Sequence, residues 1–172
     1  MFENVKEDIR AFRRHHGESW IGFFYYPMFS AVMMYRLSYW CYHHHLKLLA
    51  YALTRLNDLF HGVWIGPRVQ IGPGFVLAHA RGLVINPNTR IGQNCVILQN
   101  VALGGPGITI GDNVVISAGA LIISRRHKNG TLKIGDNVII GAGAVVLHDV
   151  AENAVMVGNP ARNIQALHDK EI

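Results

Sequence analysis

The sequence has few cysteines and few charged residues, and each shortage excludes a class of protein. Two cysteines, Cys41 and Cys95, occur among 172 residues, which excludes a disulfide-rich scaffold and the common cysteine-rich zinc modules. Charged residues make up 16% of the chain and apolar residues 50%, a composition typical of a globular protein and not of a disordered one. The length is that of one domain with a small addition.

The sequence also lacks the patterns of a signal peptide and of a membrane span. Its first twelve residues carry acidic side chains and no apolar core, and the most apolar stretch, residues 20–35, is interrupted by Pro27. We therefore expect a cytoplasmic protein without a transmembrane helix. The net charge of +5 is not concentrated in one basic run, so nucleic-acid binding is not indicated. Anionic ligands and the inner face of a membrane remain open as partners.

Aromatic residues and glycines are distributed unequally along the chain. Fourteen of the sixteen Phe, Tyr and Trp residues lie within residues 1–60, whereas sixteen of the eighteen glycines follow residue 60. This shift predicts a helical region over residues 1–62 and a second domain over residues 63–172. Leu49, Leu53, Leu56 and Phe60 follow a helical period, as do Met33, Leu37, Trp40 and Cys41. We expect these stripes to pack on the second half or a neighbouring subunit, with contact to a membrane surface as the alternative.

Aliphatic residues recur every six positions in the second half, and a glycine often follows them. A period of six fits neither a single helix nor a series of hairpins, and it is typical of a parallel β-helix, in which each aliphatic residue points inward. Three strands then form one coil of about eighteen residues. The predicted inward positions are Ile65, Ile71, Leu77, Ile85, Ile91, Ile97, Leu103, Ile110, Ile116, Ile122, Ile134, Ile140 and Val146.

The period slips in three places, and each slip predicts a loop that leaves the wall of the β-helix. Two extra residues lie between Leu77 and Ile85, and one extra residue lies between Leu103 and Ile110. The largest slip contains the polar run 125–130, which ends in an Asn-Gly turn signal. Loops of this kind commonly carry function.

Several motifs occur in a defined order along the chain. They are Asp8-Ile9-Arg10-Ala11, Tyr35-Arg36-Leu37-Ser38-Tyr39-Trp40, Leu77-Ala78-His79-Ala80-Arg81-Gly82, Ile97-Leu98-Gln99-Asn100-Val101-Ala102-Leu103-Gly104-Gly105, Ile140-Gly141-Ala142-Gly143-Ala144-Val145-Val146 and Gly158-Asn159-Pro160-Ala161-Arg162. Over most of its length the chain thus resembles the hexapeptide-repeat acyltransferases, and within them the serine acetyltransferase branch. The resemblance implies a left-handed β-helix, a homotrimer, and acetyl-CoA bound in the cleft between neighbouring subunits.

His79 matches the position of the catalytic histidine of that family. Transfer of an acetyl group to a hydroxyl needs a base, and a neutral imidazole accepts a proton near pH 7. The family places an aspartate fifteen residues earlier to orient the histidine, but Trp64 occupies that position here. Nearby Asp58, Asn86 and Asn88 are alternative partners, and the sequence does not choose among them.

Other residues are assigned to the two substrates. His127 is the rival base, on the loop at residues 125–130, and Arg81, Arg126 and His127 are assigned to the acceptor. Small residues at matching points of successive coils predict a path for the pantetheine arm of CoA. The predicted CoA-binding residues are Gly104, Gly105, Ala118, Ala142, His148 and Arg162. No metal is expected, because adjacent histidines such as His43-His44-His45 point in different directions on a helix.

The acceptor is predicted from missing residues. The family members that acetylate serine place an aspartate immediately before the catalytic histidine, and here that residue is Ala78; a second family aspartate falls on His16. We therefore expect transfer to a sugar hydroxyl of an exopolysaccharide or its precursor, met at the cytoplasmic side of the membrane. Serine O-acetyltransferase activity and a non-catalytic β-helix scaffold are the alternatives.

Overall fold

The described part of the N-terminal third of the chain is helical, as its composition indicates. The computed structural model describes residues 2–16, 26–124 and 130–165, and in these ranges three helices precede fifteen short strands. The helices are α1 (Phe2–His16), α2 (Pro27–His43) and α3 (Lys47–His61). The α3 helix ends at Gly62, whose left-handed φ of 65° is readily adopted by glycine. None of the described helices is both long and apolar enough to cross a membrane.

The remainder of the described chain folds as a parallel β-helix, which confirms the prediction from the hexapeptide period. Sheet 1 contains β1, β4, β7, β10 and β13, sheet 2 contains β2, β5, β8 and β11, and sheet 3 contains β3, β6, β9, β12, β14 and β15. All neighbouring strands are parallel except β14 and β15. The strands are β1 (Val63–Ile65), β2 (Gln70–Ile71), β3 (Val76–Leu77), β4 (Leu83–Ile85), β5 (Thr89–Ile91), β6 (Val96–Ile97), β7 (Ala102–Gly104), β8 (Gly107–Ile110), β9 (Val115–Ile116), β10 (Leu121–Ile123), β11 (Thr131–Ile134), β12 (Ile139–Ile140), β13 (Val145–Val146), β14 (Val155–Val157) and β15 (Arg162–Asn163).

Strand register explains both the period and its slips. All the predicted inward aliphatic positions are buried, and the most exposed of them, Ile71, has a relative exposure of only 6%. Val63 pairs with Leu83, so the first coil has 20 residues, and Leu121 pairs with Val145, so the fourth has 24. The excess over the ideal coil of about eighteen residues equals the slips read from the sequence. The extra residues therefore lie in the turns and leave the inward positions in register.

Three edges run along the β-helix where the chain passes from one sheet to the next. We name them edge 1/2, edge 2/3 and edge 3/1 after the sheets that they join. At edge 2/3, four stacked asparagines have left-handed φ values between 54° and 60°, and their side-chain amides bond from coil to coil at 3.0–3.4 Å. They are Asn94, Asn113, Asn137 and Asn153. This amide ladder continues the coil-to-coil hydrogen bonding through the turns of that edge.

A buried ion pair joins α1 and α2 to the first coil. Arg36 donates to both carboxylate oxygens of Asp8, from Nε at 2.8 Å and from Nη2 at 3.0 Å. Its Nη1 donates to the Ile71 carbonyl oxygen and its Nη2 also to the Gly72 carbonyl oxygen, each at 2.6 Å. The Asp8 carboxylate also accepts the Phe75 amide proton at 2.9 Å. Asp8 and Arg36 are only 1% and 4% exposed, so separating the two charges would leave each one buried without a partner. The pair therefore holds α1, α2 and a turn at edge 2/3 together.

The outer face of α3 carries large apolar side chains. Its residues Ala50, Thr54 and Asn57 are buried, and Asn57 donates to the Ala31 carbonyl oxygen of α2 at 3.0 Å. Three residues of the predicted stripe are instead exposed, Leu49 at 50%, Leu56 at 41% and Phe60 at 64%, and Leu53 is half-buried. Packing of this stripe on the second half of the same chain was a wrong expectation, because small and polar residues permit the close approach of α3 to α2. The division into domains at residue 62 remains a prediction.

The outward rows of the three sheets differ in polarity. Sheet 1 presents Trp64, Val84, Ala102, Leu121 and Val145, and sheet 3 presents Val76, Val96, Val115, Ile139 and Val155. Sheet 2 presents Gln70, Arg90, Thr109 and Lys133. Two apolar faces therefore border edge 3/1, whereas the third face is polar.

Candidate functional site

Edge 3/1 positions His79 at the top of a column of stacked turns. His79 lies in the turn between β3 and β4, and its side chain is exposed. Backbone hydrogen bonds tie this turn to those below it: Asn100 N to Arg81 O at 2.8 Å, Gly119 N to Gln99 O at 3.0 Å and Gly143 N to Ala118 O at 2.9 Å. The structure therefore brings His79, Arg81, Ala118 and Ala142 along one edge. The small side chains at residues 118 and 142 leave the lower part of this edge open.

Two of the three residues that the sequence offered as partners for His79 lie at another edge, and the third, Asp58, lies in the last turn of α3. Asn86 and Asn88 are at edge 1/2, where the Asn86 side chain accepts the Asn88 amide proton at 2.9 Å. The Trp64 ring faces outward from sheet 1, 5.4 Å from the guanidinium carbon of Arg55. Within the ranges that the structure describes, the His79 side chain forms no hydrogen bond. A partner that orients the imidazole is therefore to be sought in a ligand or a neighbouring subunit.

Gln99 belongs to the same edge and was assigned no role from the sequence. Its side-chain oxygen is buried and accepts no hydrogen bond from the described residues. Leaving such an acceptor unpaired costs free energy, and a donor on a ligand would satisfy it. A serine ammonium group and a pantetheine amide both carry suitable donors. The signal is visible only in the structure, because it depends on how one coil stacks on the next.

A cavity of about 260 Å³ lies between α1 and the outer face of sheet 3, and it extends to Gly74 and Asn94 at edge 2/3. Its walls include Arg14 and His15 from α1 and Val76 from β3. Ala78 packs in the adjoining apolar cluster with Ala11. The side chain of His16 lies outside the described residues. Position 78 therefore serves an apolar contact with α1 where the family has a carboxylate.

The other predicted CoA-binding residues are divided among different parts of the fold. Gly104, Gly105 and His148 lie at edge 1/2, on the far side of sheet 1 from His79. Arg162 lies in the terminal strand β15, where it pairs with Val157. Arg126 and His127 fall in residues 125–129, outside the described part of the chain. Of the predicted site residues that the structure describes, those at edge 3/1 are therefore the ones that lie together within one chain.

His61 forms a hydrogen-bonded network at the upper end of edge 3/1. Its Nε2 lies 2.8 Å from Ser30 Oγ of α2, and its Nδ1 lies 2.9 Å from Asn57 Oδ1 of α3. Gly62 stacks beside Arg81 and Gly82, so the network adjoins the His79 turn. Burial lowers the pKa of His61 below its ordinary value of 6.5, and the Arg81 charge lowers it further.

The lowered pKa of His61 makes part of the folding stability depend on pH. Since the folded protein holds this proton less tightly than the unfolded chain, the stabilisation is present above pH 6.5 and is lost as pH falls through the folded pKa. We expect His61→Gln to flatten the fall in unfolding free energy between pH 7.5 and pH 5, measured by urea titration. His148→Gln, which removes an exposed histidine at edge 1/2, is the control. Equal slopes for His61→Gln and the wild type would contradict this assignment.

In the described ranges, no three His, Cys, Asp or Glu side chains form a group that could hold a metal ion. His43 and His44 instead contact aromatic rings, with the His44 ring stacked on Trp40 at a centroid distance of 4.2 Å.

Comparison with known proteins identifies the family. A model described as the hexapeptide repeat of succinyl-transferase matches residues 83–124 and 132–148. Serine acetyltransferase of Mycobacterium tuberculosis is 35% identical over 174 residues, which cover 95% of this chain and 73% of that protein. The chain belongs to the serine acetyltransferase family. The predicted resemblance is thereby confirmed.

Solved structures of serine acetyltransferases share this fold. The Neisseria gonorrhoeae serine acetyltransferase in complex with serine superposes with a TM-score of 0.85 at 33% identity, covering 94% of this chain and 68% of that chain. A serine acetyltransferase in complex with CoA superposes with a TM-score of 0.84 at 33% identity, covering 92% and 67%. Against Synechococcus elongatus serine acetyltransferase, at 38% identity, the match covers 81% of this chain but only 57% of the relative.

The comparisons contradict the predicted sugar acceptor. The similar proteins and the similar structures are serine acetyltransferases, so a polysaccharide O-acetyltransferase was the wrong choice between the alternatives. The prediction treated the missing carboxylate at Ala78 as exclusion of serine. Loss of one ionic contact weakens the binding of one group of a ligand, but it does not specify a different ligand.

Proposed function

We propose that this chain transfers the acetyl group of acetyl-CoA to the hydroxyl of L-serine. The observation that carries the proposal is its similarity to serine acetyltransferases, including one solved with serine and one with CoA, over more than nine-tenths of the chain. The exposed His79 at edge 3/1, above the small residues of the lower coils, supplies the base that the reaction needs.

The chemistry requires one proton transfer in each direction. The His79 imidazole accepts the hydroxyl proton of the acceptor as its oxygen attacks the thioester carbonyl carbon. The tetrahedral intermediate collapses with cleavage of the carbon–sulfur bond, and the CoA sulfur leaves with the proton that His79 returns. Because acetyl-CoA is already activated, no covalent enzyme intermediate is needed.

Edge 3/1 is suited to the donor and the cavity beside α1 to the acceptor. The small side chains of Ala118 and Ala142 leave room for the pantetheine arm along this edge, and the unpaired Gln99 oxygen offers an acceptor for an N–H group. Arg14 in the cavity wall is suited to the carboxylate of serine. The assignments of Gly104, Gly105, His148 and Arg162 to CoA, and of Arg81, Arg126 and His127 to the acceptor, remain predictions.

The predicted site residues lie at more than one edge of a single chain, so neighbouring subunits are needed to complete the site, and we infer a homotrimer. The outward rows of sheets 1 and 3 are apolar and flank edge 3/1, with Val84 at 48%, Leu121 at 38% and Ile139 at 44% exposure in one chain. Contiguous apolar surface of this kind is typical of a protein interface. Covering it with two neighbours makes edge 3/1 a cleft between subunits, so edge 1/2 residues of a neighbour can complete the site.

A charge placed on the sheet 1 row is expected to break the trimer. Leu121→Lys buries an ammonium group in the proposed interface, which is costly without a partner. We expect light scattering to give three times the 19.1 kDa chain mass for the wild type and a smaller mass for the variant. Thr109→Lys, at the outward row of sheet 2, is the matched control. An unchanged mass for Leu121→Lys would contradict the interface.

Restoring a carboxylate at position 78 is expected to improve serine binding. Ala78→Asp places an anion beside the cavity, where it can pair with the ammonium group of serine. We expect the KM for serine to fall by roughly tenfold, the effect of about 1.4 kcal/mol, in steady-state assays. Ala78→Asn is the isosteric neutral control. If the two variants have the same KM for serine, the ammonium group of bound serine does not lie next to residue 78.

A measurement of CoA binding distinguishes an acetyltransferase from a non-catalytic β-helix scaffold. A ligand present at one hundred times its dissociation constant stabilises the folded state by about 2.7 kcal/mol. We expect CoA to raise the melting temperature and L-serine with acetyl-CoA to release free thiol. Thiol release that does not depend on serine would refute the proposed acceptor, and no thermal shift with millimolar CoA would favour a scaffold.

A further inference from the structure

A second cavity lies at edge 1/2, on the opposite side of sheet 1 from His79. Its volume is about 430 Å³, within the usual range for small-molecule sites. Its walls include Arg68, Asn88, Arg90 and Thr131, and none of the described residues that line it carries a carboxylate. The wall is thus rich in hydrogen-bond donors and positively charged.

The two arginines share this cavity without a counter-ion. Neither Arg68 nor Arg90 forms an ion pair with any described residue, and both are exposed. Arg90 stands in the outward row of sheet 2 between Gln70 and Thr109, whose strands lie about 4.8 Å away on either side. Two like charges facing one cavity repel each other, and an anion between them would remove that cost.

Two outward threonines stand in the same wall. Thr109 lies next to Arg90 in the outward row of sheet 2, and Thr131 lines the cavity from β11. Guanidinium groups bind phosphate oxygens through paired N–H donors, and threonine hydroxyls add a further contact.

We propose that the edge 1/2 cavity binds the phosphate group of a small molecule, through Arg68 and Arg90. The cavity is larger than a bare phosphate ion, which leaves space for an attached organic group. This inference rests on the cavity and not on the proposed acetyl transfer. The phosphate comes either from CoA itself or from a separate ligand.

The test measures binding of inorganic phosphate to the full chain by calorimetry, at constant ionic strength against chloride. We expect the wild type to bind phosphate, and Arg90→Gln and Arg68→Gln each to weaken binding roughly tenfold or more, the scale of a charge-assisted bond. Lys133→Gln removes a positive charge from the same row of sheet 2 but not from the cavity wall, and it should bind like the wild type. Circular dichroism confirms that each variant is folded.

Competition with CoA identifies the source of the phosphate. If CoA displaces phosphate in an Arg90-dependent manner, the site takes a phosphate of CoA; if both bind together, it takes a separate ligand. Either result supports the oxyanion site. Phosphate binding that is no stronger than chloride binding, or that survives in the Arg68→Gln/Arg90→Gln double variant, overturns it. Because the readout is binding, failure here is distinct from failure of serine acetylation.

Discussion

Replacing His79 by alanine is expected to lower turnover by roughly 10²–10⁴-fold, the usual effect of losing a general base. The imidazole lies on an exposed turn of edge 3/1, so its removal leaves no cavity in the core of the β-helix. We therefore expect unchanged mass, unchanged melting temperature and unchanged CoA binding. The loss should appear in kcat, measured by thiol release with saturating serine and acetyl-CoA.

Two further variants make this prediction specific to His79. His44→Ala removes an exposed histidine at the end of α2 and should leave kcat within a few-fold of the wild type. His127→Ala removes the rival base and should act mainly on the apparent affinity for substrate. If His127→Ala abolishes turnover and His79→Ala does not, the roles of the two histidines are exchanged.

Breaking the buried ion pair between Asp8 and Arg36 is expected to cost about 3–5 kcal/mol of unfolding free energy. Asp8→Asn keeps the shape of the side chain but leaves the Arg36 charge without its anion, in a place that is 4% exposed. Arg36→Met leaves the opposite charge unpaired and also removes donors from the Ile71 and Gly72 carbonyl oxygens. Urea titration of each variant gives the loss directly.

A surface pair provides the matched control. Lys6 and Glu3 of α1 form an ion pair at 3.2 Å, with side chains 63% and 82% exposed. Lys6→Gln should change the unfolding free energy by no more than about 0.5 kcal/mol, because exposed pairs are screened by water. A similarly small effect for Asp8→Asn would show that water reaches the pair, contrary to its burial in the structure.

The β-helix could be predicted from the sequence because its repeat is carried by each coil separately. An inward position such as Ile97 or Ile116 contacts only the coils above and below, so burial recurs at a fixed spacing. The slips were equally readable, since extra residues in a turn do not disturb the inward positions. Neither inference required knowledge of distant contacts.

The packing of the helices could not be predicted in the same way. A stripe of leucines normally marks the buried face, but in α3 the buried face consists of Ala50, Thr54 and Asn57. The Thr54 hydroxyl lies 3.0 Å from Ser38 Oγ, and the Ser38 hydroxyl donates to the Ala50 carbonyl oxygen at 2.8 Å. In such contacts, a polar group on one helix forms a hydrogen bond with a polar group on the other helix. The sequence of one helix by itself does not show which groups on the other helix are its partners.

The candidate site was predictable in part. The motif order located His79, and the repeat placed Ala118 and Ala142 at equivalent points of stacked coils. The unpaired oxygen of Gln99 and the network around His61 depend on how coils and helices stack, which the period alone does not specify. The acceptor was predicted wrongly because a missing residue at position 78 was given more weight than the motifs that are present.

The most direct test of the account is identification of the reaction product. Purified protein is incubated with acetyl-CoA labelled in the acetyl group, together with L-serine or, in parallel, a panel of nucleotide sugars and oligosaccharides, and the products are resolved by mass spectrometry. We expect labelled O-acetylserine from the wild type, and at least about 10²-fold slower formation of the same product by His79→Ala. Labelled sugar with no labelled serine, or O-acetylserine formed equally fast by the His79→Ala variant, would contradict it.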